Sequence, residues 1–137
     1  MERAKKGTIL IVEDEPVFRL IFRGVFEQDG YEVLEAVDGE AGWEAVRGKK
    51  PDLVLLDLIL PKISGYEVLE RIRKDESVRQ LPVVVYSIMG AEKDIQKAKD
   101  LGANFYLVKG SNSPKDILLE VNSLFEKSKK RKTSGRS

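Results

Sequence analysis

At four places along the chain an apolar run ends on residues able to do chemistry. Thr8-Ile9-Leu10-Ile11-Val12 runs into Glu13-Asp14-Glu15, and Leu53-Val54-Leu55-Leu56 runs into Asp57. Val83-Val84-Val85-Tyr86 ends on Ser87, and Tyr106-Leu107-Val108 ends on Lys109. An ionised carboxylate at the end of a buried strand costs free energy unless charge or hydrogen bonds compensate it. Two such strand ends in one small chain imply a shared site. Glu13, Asp14 and Asp57 together would repel and raise one another's pKa unless a cation lies among them. A hard divalent ion removes the repulsion, and Mg²⁺ needs only one or two carboxylates because it keeps several waters. Lys109 adds a fixed positive charge and Ser87 a hydroxyl donor. Together these groups suit phosphoryl transfer, in which an ionised carboxylate attacks phosphorus without a general base and forms an acyl phosphate.

The residues that are missing narrow the chemistry further. The chain has no cysteine and no histidine. That excludes disulfides, thiolate zinc sites, imidazole acid–base catalysis and Ser-His-Asp triads, and the chain cannot carry a phosphohistidine of its own. Any metal must take oxygen ligands, which favours Mg²⁺, Mn²⁺ or Ca²⁺. With 137 residues, 42% hydrophobic and 34% charged, the chain is sized for one globular domain with a real core. No apolar run approaches the roughly 20 residues that span a bilayer. Met1 to Gly7 is charged and lacks the apolar stretch of a signal peptide. A cytoplasmic protein with no membrane partner is expected. The net charge of +1 hides an asymmetry: residues 127–137 hold six basic side chains and no acid, so residues 1–126 carry 18 basic and 23 acidic groups, a net of −5.

The elements that must position these residues follow from periodicity. Strands are predicted over 8–12, 31–36, 52–57, 82–87 and 104–108. Three of them are continuously apolar, as in a parallel sheet covered on both faces, while 31–36 is mixed, as an edge strand would be. Helices are predicted over 16–28, 39–47, 65–75 and 91–101, with a last one starting at Ser113-Pro114, an N-cap followed by proline. In 16–28 the apolar face is read as Val17, Leu20, Ile21 and Val25, with Phe18, Phe22 and Phe26 packing beside it. Alternation of β and α implies a right-handed, doubly wound α/β sandwich. Ligands in such folds sit at the carboxyl ends of the strands, where Asp14, Asp57, Ser87 and Lys109 fall. Residues 1–7 read as an N-terminal extension and 128–137 as a disordered basic tail.

Several separated motifs, in order and at their spacing, resemble the receiver domain of bacterial response regulators, the CheY-like family. They are Ile11-Val12-Glu13-Asp14-Glu15, Ala36-Val37-Asp38-Gly39, Pro51 through Asp57, and Leu60-Pro61 through Gly65. Further along come Leu81 through Ser87, Ala98 with Gly102-Ala103, and Tyr106-Leu107-Val108-Lys109. The resemblance covers Ile9 to about Phe125. It implies a flavodoxin-like, five-stranded parallel sheet of order 2-1-3-4-5, with the domain spanning 8–127. It implies that Asp57 is the phosphoacceptor, that Asp14 and Asp57 bind Mg²⁺ (Mn²⁺ as the alternative) with Glu13 acting through water, and that the Ile59 backbone carbonyl is a further ligand. Ser87 and Lys109 would contact the phosphoryl group, with Ser87 and Tyr106 as the switch pair. The implied partners are a histidine kinase or histidine phosphotransfer protein and a downstream protein on the face of the fourth helix, fifth strand and fifth helix. Nucleic acid is expected only as a weak contact of the basic tail. Such a protein promotes its own phosphorylation and is not a turnover enzyme.

The chain departs from the family pattern in two places. Gly110 follows Lys109 where the family usually has proline after a cis peptide bond. A cis bond not preceding proline costs roughly 2.5–4 kcal/mol, so either isomer is open and the reach of Lys109 depends on the outcome. Ile88 follows Ser87 where a small residue is usual, and its bulk would narrow the pocket or hinder Ser87. These departures motivate an alternative, a pseudo-receiver acting as a phosphorylation-independent interaction module. An aspartyl phosphohydrolase is disfavoured, because Leu58-Ile59 offers no second acid two residues after Asp57 to protonate a leaving group. Phe18, if exposed, would dock against the phosphodonor's helical bundle.

Overall fold

Three of the five strand runs are continuously apolar, with no polar face to give to water, and all five pair side by side. In the computed structural model, which describes residues 4–134 and side chains as far as Ser128, they form β1 (Thr8–Val12), β2 (Glu32–Ala36), β3 (Leu53–Leu56), β4 (Val83–Ser87) and β5 (Phe105–Val108). All pairs are parallel and the sheet order is β2-β1-β3-β4-β5. The continuous runs of β1, β3 and β4 are the three central strands, and every residue of β3 and β4 is buried. The mixed β2 is an edge, as its composition predicts.

Five helices cover the two faces: α1 (Pro16–Gln28), α2 (Gly39–Lys49), α3 (Gly65–Lys74), α4 (Glu92–Asp100) and α5 (Pro114–Ser134). One core joins the sheet to Val46 of α2, Leu69 and Ile72 of α3 and Ala98 of α4. The other joins it to Phe22 and Phe26 of α1 and to Ile117 and Val121 of α5. Side-chain caps start three of the helices. Asp38 accepts the Ala41 N–H at 2.7 Å, Ser64 accepts the Glu67 N–H at 3.2 Å, and at α5 Ser113 accepts the Asp116 N–H at 3.2 Å, satisfying amides that the helix itself leaves unpaired. The entrances of β4 and β5 are tied to α3 by Arg73. Its guanidinium donates to the carbonyls of Leu81 and Gly102 and to Asn104 Oδ1.

Two expectations are corrected. First, α1 turns its other face inward. Phe22 and Phe26 are fully buried and Phe18 is half-buried, while Val17, Leu20 and Ile21 are exposed. Aromatic rings bury more area than branched aliphatics and gain from edge-to-face contact. Tyr86 and Tyr31 supply those contacts: the Phe22 and Tyr86 centroids lie 4.9 Å apart at 83°, and those of Phe26 and Tyr31 lie 6.4 Å apart at 87°. Second, α5 continues to Ser134, so 128–134 is helical where disorder was expected. Lysine and arginine are good helix formers, and cations suit a helix C-terminus. Residues 135–137 and Met1 to Arg3 lie outside the described residues. The N-terminal extension is joined to the sheet at its inner end, since Lys6 N–H donates to Gly30 O and Glu32 N–H to Gly7 O, both at 2.9 Å.

Candidate functional site

The strand order reverses at β1, whose neighbours β2 and β3 continue to opposite sides. The crevice above β1 and β3 is therefore where the fold leaves room for a ligand. The ladder continues one residue past each strand: Glu13 N–H donates to Ala36 O at 3.0 Å, and Asp57 N–H to Val12 O at 3.1 Å. This fixes both backbones side by side. Glu13 and Asp57 are buried, at 3% and 5% exposure, and Asp14 is exposed at the rim. One carboxylate oxygen from each of the three lies within 4.8 Å of the others.

Lys109 completes the cluster. Its N–H donates to Ser87 O at 2.9 Å, and its ammonium donates to Glu13 Oε1 at 2.5 Å and to Asp57 Oδ2 at 3.0 Å. The peptide bond to Gly110 is trans, since no described peptide is cis, and Gly110 takes a φ of 88° that L side chains rarely adopt. The loop is held by a residue that the sequence reading did not single out. Asn112 Oδ1 accepts the Val108 N–H at 2.9 Å, and Ser111 N–H and Asn112 N–H both donate to Val108 O at 3.1 Å. Lys109 thus reaches Asp57 without a cis bond. The second departure is also harmless, because Ile88 points into solvent at 68% exposure.

Ser87 is fully buried, and its Oγ accepts the Met89 N–H at 3.3 Å. Tyr106 is half-buried and donates to the Met89 carbonyl at 2.5 Å. The hydroxyl residue and the aromatic are therefore tied to the same loop residue. Ile59 lies in the turn after β3, with its side chain about half exposed and its N–H donating to Asp57 Oδ1 at 3.2 Å. Glu15 is exposed at the N-cap of α1 and makes no side-chain cap bond. Its carboxylate lies 3.7 Å from the Lys109 ammonium.

Burial, reinforced by neighbouring Asp57, pushes the Glu13 carboxyl up to about 8, with Lys109 pulling the other way. Burial alone would lower Lys109, but its bonds to Glu13 and Asp57 outweigh it and raise the ammonium. Glu13 Oε2 is buried with no hydrogen-bond partner. An orphaned carboxylate oxygen beside two further carboxylates has the donor chemistry of a hard-cation site. Glu13 also sets a pH dependence. Its folded-state pKa lies above its ordinary 4.5, so the folded protein holds a proton that the unfolded chain has released. Its contribution to stability is complete below 4.5 and lost as pH rises through about 8. Urea unfolding in a chelator should show stability falling across that window, and Glu13→Gln should flatten the fall. Equal slopes in the two proteins would contradict it.

Comparison with known proteins agrees with this geometry. Residues 9–122 match the response regulator receiver domain family. The chain is 39% identical over 101 residues to the DNA-binding dual master transcriptional regulator RpaA of Synechocystis, covering 74% of this chain and 42% of that protein. It is 32% identical over 120 residues to the phosphate regulon transcriptional regulatory protein PhoB of Pseudomonas aeruginosa, covering 88% and 52%. The chain thus spans about half the length of these curated relatives. Among solved structures, a CheY-like receiver domain protein from Methanospirillum hungatei superposes with a TM-score of 0.84 at 25% identity, covering 94% of this chain and 99% of that one. The Mn²⁺-bound form of response regulator Rcp1 superposes at 0.73 with 30% identity, covering 82% and 88%. The sheet order, the carboxylate cluster at the switch point and these matches agree: the chain belongs to the response regulator receiver domain family of two-component signalling, with the CheY-like fold.

Proposed function

We propose that this domain accepts a phosphoryl group on Asp57 from the phosphohistidine of a histidine kinase or histidine phosphotransfer protein. The observation that carries the reading is the Lys109 ammonium 3.0 Å from Asp57 Oδ2, inside a cluster of three carboxylates. An Asp57 oxygen attacks phosphorus, the P–N bond to the donor imidazole breaks, and its electron pair returns to the ring nitrogen. Lys109 exchanges its bond to the carboxylate for one to a phosphoryl oxygen. The residues fit Mg²⁺, or Mn²⁺, held by Asp14 and Asp57, by Glu13 through water and by the Ile59 carbonyl. When bound, the ion neutralises charge on the phosphoryl oxygens.

Ser87 then offers its hydroxyl to the phosphoryl group and gives up Met89 N–H. Tyr106 holds the carbonyl of the same residue, so the two adjustments are linked. This biases a two-state equilibrium on the face formed by α4, β5 and α5, where a downstream protein binds. The domain is a phosphoacceptor rather than a turnover enzyme and works in the cytoplasm. No helix among the described residues is long and apolar enough to cross a membrane. Intact-mass measurement after acetyl phosphate and Mg²⁺ tests the reading. Wild type should gain one phosphoryl group, and Asp57→Ala or added chelator should prevent it. A gain that persists in Asp57→Ala would place the acceptor elsewhere.

A further inference from the structure

The ammonium of Lys109 has company besides carboxylates. It lies over the Phe18 ring, 4.4 Å from the centroid, and 5.5 Å from the Tyr86 centroid. The two rings meet edge to face, 5.9 Å apart at 74°, and Tyr86 is braced in turn by Phe22 at 4.9 Å. The Lys109 side chain is only 9% exposed. A cation over an aromatic face within about 6 Å is attracted by the ring quadrupole, most strongly where water is excluded. α1 buries its aromatic stripe so that Phe22 and Phe26 fill the core, while Phe18, one turn earlier, is left half-buried at the site. Its ring covers Lys109.

We infer that Phe18 and Tyr86 form an aromatic clamp that positions the Lys109 ammonium for the phosphoryl group. The inference rests on the role of Lys109 in the proposed function. Of the three carboxylates around the Lys109 ammonium, Asp57 becomes an acyl phosphate, Glu13 would be shared with a bound cation, and Glu15 lies farther off at 3.7 Å and is exposed. The rings do not change. The main chain fixes the Lys109 backbone, through its N–H to Ser87 O and its bridge to Asn112, and the rings fix where the ammonium at the end of that long side chain lies. The clamp therefore keeps the charge in place as its acidic partners are withdrawn. Phe18 and Tyr86 are positioning residues, because they act through Lys109.

Acetyl phosphate, a donor with no protein surface, separates this role from docking. Phe18→Leu should slow Mg²⁺-dependent phosphorylation of Asp57 by about tenfold, and Phe18→Tyr, which keeps the ring, should restore it. Val17→Ala, exposed on the same helix, should behave as wild type. NMR of the unphosphorylated protein gives a second readout. The Lys109 ε-methylene protons, lying over the Phe18 ring, should resonate upfield of the other lysines in wild type and in Phe18→Tyr, and lose that shift in Phe18→Leu. Ordinary ε-methylene positions in wild type would overturn the inference. So would a wild-type rate in Phe18→Leu, or an equal loss in Phe18→Leu and Phe18→Tyr. If wild type accepts no phosphoryl group, the proposed function fails instead, and the ring-current shift alone decides the clamp.

Discussion

Lys109→Ala is expected to slow phosphorylation of Asp57 by about 10²–10³-fold and, in the absence of metal, to destabilise the fold by roughly 3 kcal/mol above pH 8. The first effect is the loss of the only side-chain cation hydrogen-bonded to Asp57 among the described residues. A preorganised donor at developing charge is worth that much, because it needs no reorganisation when the charge appears. The second effect comes from what stays behind. Glu13 and Asp57 are both buried, and Lys109 holds both. Removing one partner of a buried ion cluster leaves charge with neither water nor a counter-ion.

The two effects separate under controlled conditions. Below pH 8 Glu13 can take up a proton, so the stability loss should shrink as pH falls toward 6, following the raised pKa of that carboxyl. Added Mg²⁺ should recover stability by supplying another cation to the acids, yet leave the phosphorylation rate low. Urea titrations in chelator and in Mg²⁺, beside acetyl phosphate kinetics, measure both. A midpoint that does not move in chelator, or a rate within a few-fold of wild type, would show that Lys109 is dispensable.

How Lys109 comes to be there shows what the sequence could and could not disclose. Asp14, Asp57, Ser87 and Lys109 were legible because strand ends are: each closes an apolar run, and parallel strands deliver their carboxyl ends to one side of the sheet. All ten elements follow from the same periodicities, with ends shifted by a residue or two except at the C-terminus of α5, whereas the sheet order was implied by the family resemblance. The path of the loop after Lys109 was not legible. Gly110 left the peptide isomer open, and the Asn112 side chain that accepts the Val108 N–H is a tertiary choice among many polar loop residues. An asparagine just after a strand, with its affinity for backbone amides, was the available signal.

The inward face of α1 failed for a related reason. Val17, Leu20, Ile21 and Val25 make as good a helical stripe as Phe18, Phe22 and Phe26, and two apolar stripes on one helix cannot be ranked by period alone. The choice belongs to Tyr86 and Tyr31, which are distant in sequence and meet the phenylalanines only in the folded protein. The same fact hid the contact between Phe18 and Lys109.

Gly65→Ala should damage fold and site together, costing roughly 3 kcal/mol or more and disabling phosphorylation even where the protein remains folded. Gly65 opens α3 and donates its N–H to Leu58 O at 2.9 Å. This bond closes the turn that begins at Asp57. The helix start therefore presses against the acceptor's own backbone. A Cβ on Gly65 would fall inside the contact radius of the Asp57 carbonyl oxygen and 2.6 Å from the Leu58 Cα. Backbone cannot swing aside as the end of a flexible side chain can, so either α3 retreats or Asp57 and Leu58 are pushed away. Retreat breaks the Gly65–Leu58 bond and loosens Val68 and Leu69, both fully buried. Displacement of Asp57 shifts its carboxylate relative to Lys109 and Asp14, and a misplacement of about 1 Å is enough to cost on the order of 10²-fold in a positioned reaction. Urea unfolding gives the first quantity. Beryllofluoride binding in Mg²⁺, followed by fluorine NMR, gives the second without needing a phosphodonor. A Gly65→Ala protein with wild-type stability and wild-type beryllofluoride affinity would mean that the turn can yield without moving Asp57.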